Sequence, residues 1–189
     1  MRQPTIHLDI ALLHHPVKNK SGETIGSAVT NLDLHDIARA AKTFGVNNYF
    51  VATPYEDQHV LINEIVEHWL DGSGSRSNPA RKEAFSLIKT AYSLEDIVSR
   101  ISKKEQAKPL VVATSASKQK NEISYRDLKQ YLHQGVSPVV LLFGTAHGIA
   151  DELLEKTDAT LPPILGNSTY NHLSVRSAVS IILDRLLGM

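Results

Sequence analysis

Short apolar runs of strand length alternate with segments of helical periodicity along the chain, and this alternation limits the possible folds more than any other feature. It is typical of a mostly parallel β-sheet covered by helices. The predicted strands are Ile6–Leu13, Asn48–Ala52, Leu87–Ala91, Leu110–Thr114, Val139–Phe143 and Ala159–Leu161. The predicted helices are Leu34–Phe44, Asp57–Leu70, Leu94–Lys104, Tyr125–Gln134, Ala150–Glu155 and Val175–Leu187. We therefore expect an α/β fold with helices on both faces of the sheet.

The last helix, Val175–Leu187, has the clearest pattern, because its apolar residues recur every three or four positions. This apolar face either packs on the sheet of its own domain or contributes to a dimer interface. Ser93 and Asp96 form a capping box at the start of another helix. The Gly- and Ser-rich segment Asp71–Pro79 lies inside the α/β alternation, so we interpret it as a mobile loop within one domain spanning residues 1–189.

Composition excludes several classes of function. The chain has no cysteine, which rules out disulfides, cysteine-ligated zinc and a cysteine nucleophile. Twenty Lys and Arg balance twenty Asp and Glu, which argues against a nucleic-acid coat protein but allows a local basic patch. Phosphate-loop, zinc-protease and nucleophile-elbow motifs are missing, and we expect no metal site. No apolar stretch is long enough for a membrane span, so we expect a cytoplasmic protein without a membrane partner.

Polar and ionisable residues crowd the segment Thr30–Arg39, where a loop enters a helix. The group comprises Asn31, Asp33, His35, Asp36 and Arg39. Asp33 could simply cap this helix, and Asp36 could favour its positive end. Arg39 is harder to explain in structural terms, because it lies beyond the loop among small apolar residues.

Two further loops follow predicted strands, at the edge where open α/β sheets bind ligands. The segment Leu141–Ile149 ends an apolar strand with Gly144 and Gly148, which allow a sharp turn and the close approach of a ligand. The segment Leu161–Arg176 is a long polar loop that ends at the start of the last helix and offers free backbone N–H groups. Ser174 could instead be an ordinary helix cap.

Together the three segments resemble the three motifs of the SPOUT methyltransferases. Arg39 and the sequence Phe44-Gly45-Val46 match the first motif of the ribose-methylating branch, whereas Asp33 and His35 replace its Asn and Gly. The apolar strand and glycine loop of Val139–Ile149 match the second motif without its acidic residue. The third matches Leu161–Leu187, with HLSVR in place of SLNVS. NxDxHDIAR, an FGT loop and YNHLSVRSA resemble more closely a small bacterial SPOUT family sometimes fused to tRNA (guanine-N1)-methyltransferase.

The resemblance implies an S-adenosylmethionine-dependent RNA methyltransferase with a C-terminal trefoil knot, acting on tRNA or rRNA as a homodimer. It places the cofactor against the loops that contain Thr114, Leu142, Phe143, Gly144, Thr145, Gly148, Ile164, Gly166, Tyr170, Asn171, His172, Leu173 and Ser174. Arg39 is expected to stabilise developing charge or to bind phosphate, and His35 or Asp36 to act as the base. The candidate phosphate contacts to RNA are Lys118, Lys120, Arg126, Arg76, Arg81 and Lys82.

Two other functions remain open at the level of sequence. One is a non-catalytic α/β module that binds RNA or a nucleotide, which the replacements in the first motif would suit. The other is a hydrolase or transferase acting on a nucleotide. The atom that is methylated is also open, because the chain departs from the ribose-methylating motifs.

Overall fold

A computed structural model describes residues 6–189 and contains one six-stranded, wholly parallel sheet. Its strands are β1 (Leu8–Leu13), β4 (Tyr49–Ala52), β5 (Ile88–Ala91), β6 (Leu110–Thr114), β7 (Val139–Gly144) and β8 (Ala159–Leu161). They are ordered β5-β4-β1-β7-β6-β8, so β1 and β7 form the centre. The predicted α/β fold and all six predicted strands are confirmed.

Eight helices lie among the described residues. They are α1 (Asn31–Thr43), α2 (Glu56–Leu70), α3 (Ser73–Ser77), α4 (Pro79–Phe85), α5 (Leu94–Glu105), α6 (Tyr125–Gln134), α7 (Asp151–Leu154) and α8 (Val175–Leu187). The bounds of α6 and α8 agree with the sequence prediction. Helix α1 begins three residues earlier than predicted, because Thr30 caps it and accepts a hydrogen bond from the Asp33 N–H.

Alternating side chains of β1 belong to two separate hydrophobic cores, one on each face of the sheet. Leu8, Ile10 and Leu12 belong to a core that includes residues of α1, α6 and α8. Ala11 and Leu13 belong to a second core that is covered by α5 and α7. Central strands of a parallel sheet are buried on both faces, which explains why they read as unbroken apolar runs in the sequence.

The apolar face of α8 packs within its own chain. Val179, Ile182, Leu183 and Leu186 are buried in the first core, where α8 contacts α1 and α6. The inner face of α8 therefore packs on its own domain, which was one of the two interpretations of this helix. Ser174 caps the helix by accepting a hydrogen bond from the Ser177 N–H, and Ser93 caps α5 through the Asp96 N–H, as the capping box predicted.

The prediction of a loop at Asp71–Pro79 is wrong, because α3 and the start of α4 occupy this segment. Asn78 accepts a hydrogen bond from the Arg81 N–H and Pro79 occupies the first turn of α4, which is a favourable helix start. Gly74 is buried against Trp69, so tertiary packing overrides the weak helix propensity of Gly and Ser. The sequence prediction also missed the two-residue strands β2 (Val17–Lys18) and β3 (Thr24–Ile25), which form a small antiparallel hairpin.

None of the helices within residues 6–189 is both long and apolar enough to cross a bilayer. The loop after β7 turns sharply at Gly144, where an added Cβ atom would lie 2.6 Å from the Ile149 backbone nitrogen. Gly144 is therefore required for packing of the loop on itself. Gly166, in the loop after β8, has no atom within 4 Å of the same position.

These two glycines give a matched test of the loop geometry. We expect Gly144→Ala to lower the free energy of unfolding by about 1–3 kcal/mol, the usual cost of forcing an extra carbon into a packed site. We expect Gly166→Ala to change it by less than about 0.5 kcal/mol, as exposed substitutions generally do. Urea unfolding of both variants measures the difference. Equal stabilities would contradict the tight turn.

Candidate cofactor site

A cavity of about 630 Å³ opens across the carboxyl ends of β1, β6 and β7. Its volume lies in the range of small-molecule and cofactor sites. Four stretches of chain form its walls: the segment before α1, the loop after β6, the loop after β7, and the segment from β8 into α8. All strands are parallel, so the loops that follow them converge at one edge of the sheet.

Ten of the thirteen residues predicted to contact a cofactor line this cavity. They are Thr114, Phe143, Gly144, Thr145, Gly148, Ile164, Asn171, His172, Leu173 and Ser174. The side chain of Asn171 donates a hydrogen bond of 2.8 Å to the Ala116 carbonyl, which joins the loop after β8 to the loop after β6. This contact holds the two loops together over the cavity.

The other three predicted residues lie outside the cavity walls. Leu142 is fully buried in β7, although its carbonyl accepts a hydrogen bond of 2.9 Å from the Thr114 hydroxyl. Gly166 is exposed in the loop after β8. Tyr170 is 74% exposed, with its ring centre 5.4 Å from that of His172.

The segment between β1 and α1 contributes cavity residues that sequence reasoning missed. Lys18 of the hairpin, Ser27, Ala28 and Thr30 all line the cavity. Neither strand of the hairpin exceeds two residues, so no periodic pattern could have predicted it. Its position is set by tertiary contacts, including a backbone hydrogen bond of 2.8 Å from the Lys18 N–H to the Gly148 carbonyl.

A polar network joins two half-buried residues of this wall, Ser27 and Thr145, to the buried side chain of His14. Thr145 Oγ1 donates to the Leu13 carbonyl over 3.0 Å and lies 2.5 Å from Ser27 Oγ. The Ser27 hydroxyl can donate to Thr145 Oγ1 or, over 3.4 Å, to the His14 carbonyl, and His14 Nδ1 lies 3.0 Å from Ser27 Oγ. His14 is fully buried, and its Nε2 atom has no hydrogen-bond partner among the described residues. Burial lowers the pKa of His14 to about 4, opposed by the charge of Asp33, so the imidazole is neutral near pH 7.

Asp33 is the one carboxylate among the described residues that line the cavity. It is 8% exposed, and its Oδ2 atom accepts a hydrogen bond of 2.7 Å from the Thr30 hydroxyl. Its Oδ1 atom lies 3.4 Å from Nε of Arg176 on α8. The guanidinium of Arg176 also contacts Asp36 Oδ2 at 3.2 Å, so the starts of α1 and α8 are joined by one arginine between two aspartates.

None of the three residues predicted to be catalytic lines the cavity. Arg39 is exposed on α1, and Asp36 is exposed and paired with Arg176. The ring of His35 packs between Trp69 at 5.3 Å and Phe85 at 4.6 Å. Burial lowers the pKa of His35, and the charge of Arg81 lowers it further.

The predicted phosphate contacts fall into two groups. Lys118 and Lys120 are exposed in the loop after β6, next to the cavity residue Ser117, and Arg126 is exposed on α6. Arg76, Arg81 and Lys82 belong to α3 and α4, and the Arg81 guanidinium stacks 4.5 Å from the centre of the Trp69 ring. Residues 6–189 contain no group of three or more His, Asp or Glu side chains able to hold a metal ion.

A parallel sheet with a ligand-sized cavity at the carboxyl ends of its strands defines an α/β protein that binds a small molecule at that edge. The chain belongs to a family described as SAM-dependent RNA methyltransferases, whose sequence model matches residues 7–188. S-adenosylmethionine is therefore its cofactor, and the resemblance predicted from the three motifs is confirmed.

Relatives and solved structures agree with this family. A tRNA (guanine-N(1)-)-methyltransferase of Oleidesulfovibrio alaskensis is 41% identical over 98% of the chain, which spans only 43% of that relative's length. An uncharacterized protein of Aquifex aeolicus is 40% identical over 95% of the chain and 87% of its own length. The SpoU methyltransferase AviRb from Streptomyces viridochromogenes, solved with AdoMet, is 18% identical, with a TM-score of 0.59 over 98% of this chain and 59% of that one. The chain thus has the SPOUT α/β knot fold.

The buried imidazole of His14 gives the site a pH-dependent stability. Its pKa is about 4 in the folded protein and near 6.5 when exposed, so the unfolded chain binds more protons as the pH falls below 6.5. We expect the free energy of unfolding to drop by about 2 kcal/mol from this group between pH 7 and pH 5. Urea unfolding of the parent and of His14→Asn at both pH values isolates the contribution. Parallel losses in the two proteins would contradict it.

Proposed function

We propose that this protein transfers a methyl group from S-adenosylmethionine to tRNA or rRNA in the cytoplasm, with the cofactor held in the cavity at the carboxyl edge of the sheet. The observation that carries the proposal is that loops from all three motif segments meet around this one cavity. The first motif segment, Thr30–Arg39, lies more than 100 residues before the other two in the chain, and a shared ligand would explain why they meet.

The cavity walls fit the chemical character of this cofactor. Phe143, Ile164 and Ile182 supply an apolar side suited to a flat ring system. Gly148 has a φ of +102°, a conformation that a glycine adopts readily, and its missing side chain leaves the loop backbone open to a ligand. The N-terminal end of α8, capped by Ser174, borders the cavity and favours a carboxylate.

Relatives favour RNA, and tRNA in particular, as the methyl acceptor. The Oleidesulfovibrio alaskensis relative is named for methylation of guanine in tRNA, but that name describes a protein more than twice as long as the matching region. The methylated position therefore does not carry over from the name. The family model, which matches residues 7–188, supports an RNA substrate for this chain itself.

The residues of the chain would serve the reaction by positioning and by excluding water. The methyl group on the cofactor's sulfonium is already a strong electrophile, so what the protein adds is alignment and removal of a proton. The loop after β8, held to the loop after β6 by Asn171, would keep water away from the reacting atoms. Arg39 remains the candidate from the motif match for stabilising developing charge. His35 and Asp36, the two bases that the motif match offered, lie outside the cavity of their own chain.

Assembly as a homodimer would give the exposed residues of α1 a role. Arg39 is exposed and Leu32 is 61% exposed on α1, and Leu165 and Tyr170 are exposed in the loop after β8. A two-fold dimer through these surfaces would bury apolar area and would let Arg39 serve a cavity other than that of its own protomer. RNA would then lie across both protomers and contact the predicted basic residues.

Filling the cavity tests the location of the cofactor. Ala178 lines the cavity from α8, whereas Ala80 is exposed on α4. We expect Ala178→Phe to weaken S-adenosylmethionine binding at least tenfold by occupying its space, and Ala80→Phe to leave it unchanged. Titration calorimetry on both folded variants measures the affinities.

The parent protein and Ala80→Phe should also transfer radiolabelled methyl groups to small RNA from the source organism lacking this gene, and Ala178→Phe should transfer fewer at the same cofactor concentration. Loss of binding in both variants, or in neither, would place the cofactor elsewhere. Cofactor binding without transfer to any RNA would instead identify a non-catalytic binding module.

Substitution of Arg39 tests the dimeric site. We expect Arg39→Ala to lower methyl transfer by about 10²–10³-fold, the typical effect of losing one preorganised charge donor, with cofactor affinity changed by no more than a few-fold. Light scattering should give about twice the 20.8 kDa chain mass for parent and variant. Unchanged transfer, or an active parent of monomeric mass, would contradict this role.

A further inference from the structure

We propose that Asp33 is the proton acceptor in methyl transfer, an inference that rests on the proposed function. Methylation of an N–H or O–H group of RNA forms a bond from that atom to the methyl carbon and breaks the carbon–sulfur bond. The sulfur keeps the electron pair, and the proton of the N–H or O–H group must leave. Asp33 would take this proton and then release it to solvent.

The position of Asp33 distinguishes it from the other carboxylates. Among the described residues lining the cavity it is the one Asp or Glu, whereas Asp36, three residues later, lies outside the cavity walls. A general base must come within hydrogen-bond reach of the proton that it removes. Asp33 meets this condition for a substrate in the cavity of its own protomer.

Asp33 is also held in one orientation. The Thr30 hydroxyl donates to Oδ2 at 2.7 Å, and the Arg176 guanidinium lies 3.4 Å from Oδ1. The other titratable groups in the cavity walls include the imidazoles of His147 and His172, both on exposed residues. No side-chain hydrogen bond orients either imidazole among the contacts of residues 6–189. A fixed group loses less entropy on reaching the transition state than a mobile one.

Two buried polar atoms supply an independent observation, one of them on His14, which contacts the cavity residue Ser27. The Nε2 atom of His14 and the hydroxyl of Tyr49 are both unpartnered among the described residues, and both side chains are fully buried. Burial lowers the pKa of His14 and the charge of Asp33 opposes that shift, whereas burial and the charge of Asp33 both raise the pKa of Tyr49. The charge of Asp33 therefore acts on both groups. Buried polar atoms are seldom left without partners unless the site has a function or holds water.

The groups facing Asp33 have a consistent electrostatic pattern. Arg176 on α8 is the cation next to it, and Asp36 shares that cation from the same helix. Neutral His14 adds no second positive charge. Asp33 also lies in the first turn of α1, next to the positive end of the helix dipole. Arg176 is shared with Asp36, so it balances the charge of Asp33 only in part.

The Asp33→Asn substitution removes the charge and preserves the shape of the side chain. Asp33→Asn keeps an oxygen that can accept from Thr30, so we expect it to fold, and thermal unfolding checks this. With radiolabelled cofactor and small RNA from the source organism lacking this gene, we expect kcat to fall about 10²–10³-fold. Cofactor affinity by calorimetry and KM for the RNA should change by no more than a few-fold.

Asp36→Asn is the matched comparison, because it removes the other carboxylate that contacts Arg176. If Asp36 were the base, this variant would lose turnover and Asp33→Asn would keep it. A second measurement uses Asp33→Ala with added formate, which can diffuse into the space left by the side chain. We expect formate to restore part of the lost turnover there and to have no effect on Asp36→Ala.

Normal turnover in Asp33→Asn, a change in KM alone, or no rescue by formate would overturn the assignment. A change in KM alone would show that Asp33 binds the RNA group without taking its proton. A parent protein that binds the cofactor but methylates no RNA would overturn both the proposed function and this role. An active parent with a fully active Asp33→Asn would overturn only this role.

Discussion

The parallel pairing of β1 with both β4 and β7 is the constraint on which the rest of the structure depends. Once these central strands run in one direction, every loop that follows a strand emerges at the same edge of the sheet. The segments after β1, β6, β7 and β8 meet there and enclose one cavity. Because β1 is buried on both faces, its direction and register are fixed by two cores at once.

The contacts between α1 and α8 position the charged side chains of the site. Both helices pack in the same core, so their N-terminal ends lie side by side at the cavity. Arg176 bridges Asp33 and Asp36 across that junction. The one carboxylate found in the described cavity wall is thus held by Arg176, more than 140 positions away in the chain, and by the helix cap Thr30, only three positions away.

Sequence reasoning succeeded where a feature was local and periodic. The bounds of α6 and α8 and the cap at Ser93 followed from apolar spacing and from short-range hydrogen-bond chemistry. It failed at Ser73–Ser77, because Gly and Ser predict a loop until the packing of Gly74 against Trp69 is known. It also missed the hairpin before α1, since two-residue strands have too few residues to show a period.

The sequence by itself determined the α/β class, the family and ten of the residues that line the cavity, because each motif is a continuous stretch of chain. Only the tertiary structure decided which members of those motifs share one space. It brought Asp33 into the cavity wall and left Asp36 and Arg39 outside it, although all three belong to one helix. The reason is geometric. Asp36 lies nearly one turn farther along α1 on the same side as Asp33, where it is exposed and contacts Arg176, and Arg39, six residues on, points about 120° away around the helix. Only packing of α1 against the sheet and α8 fixes which part of the helix meets the cavity.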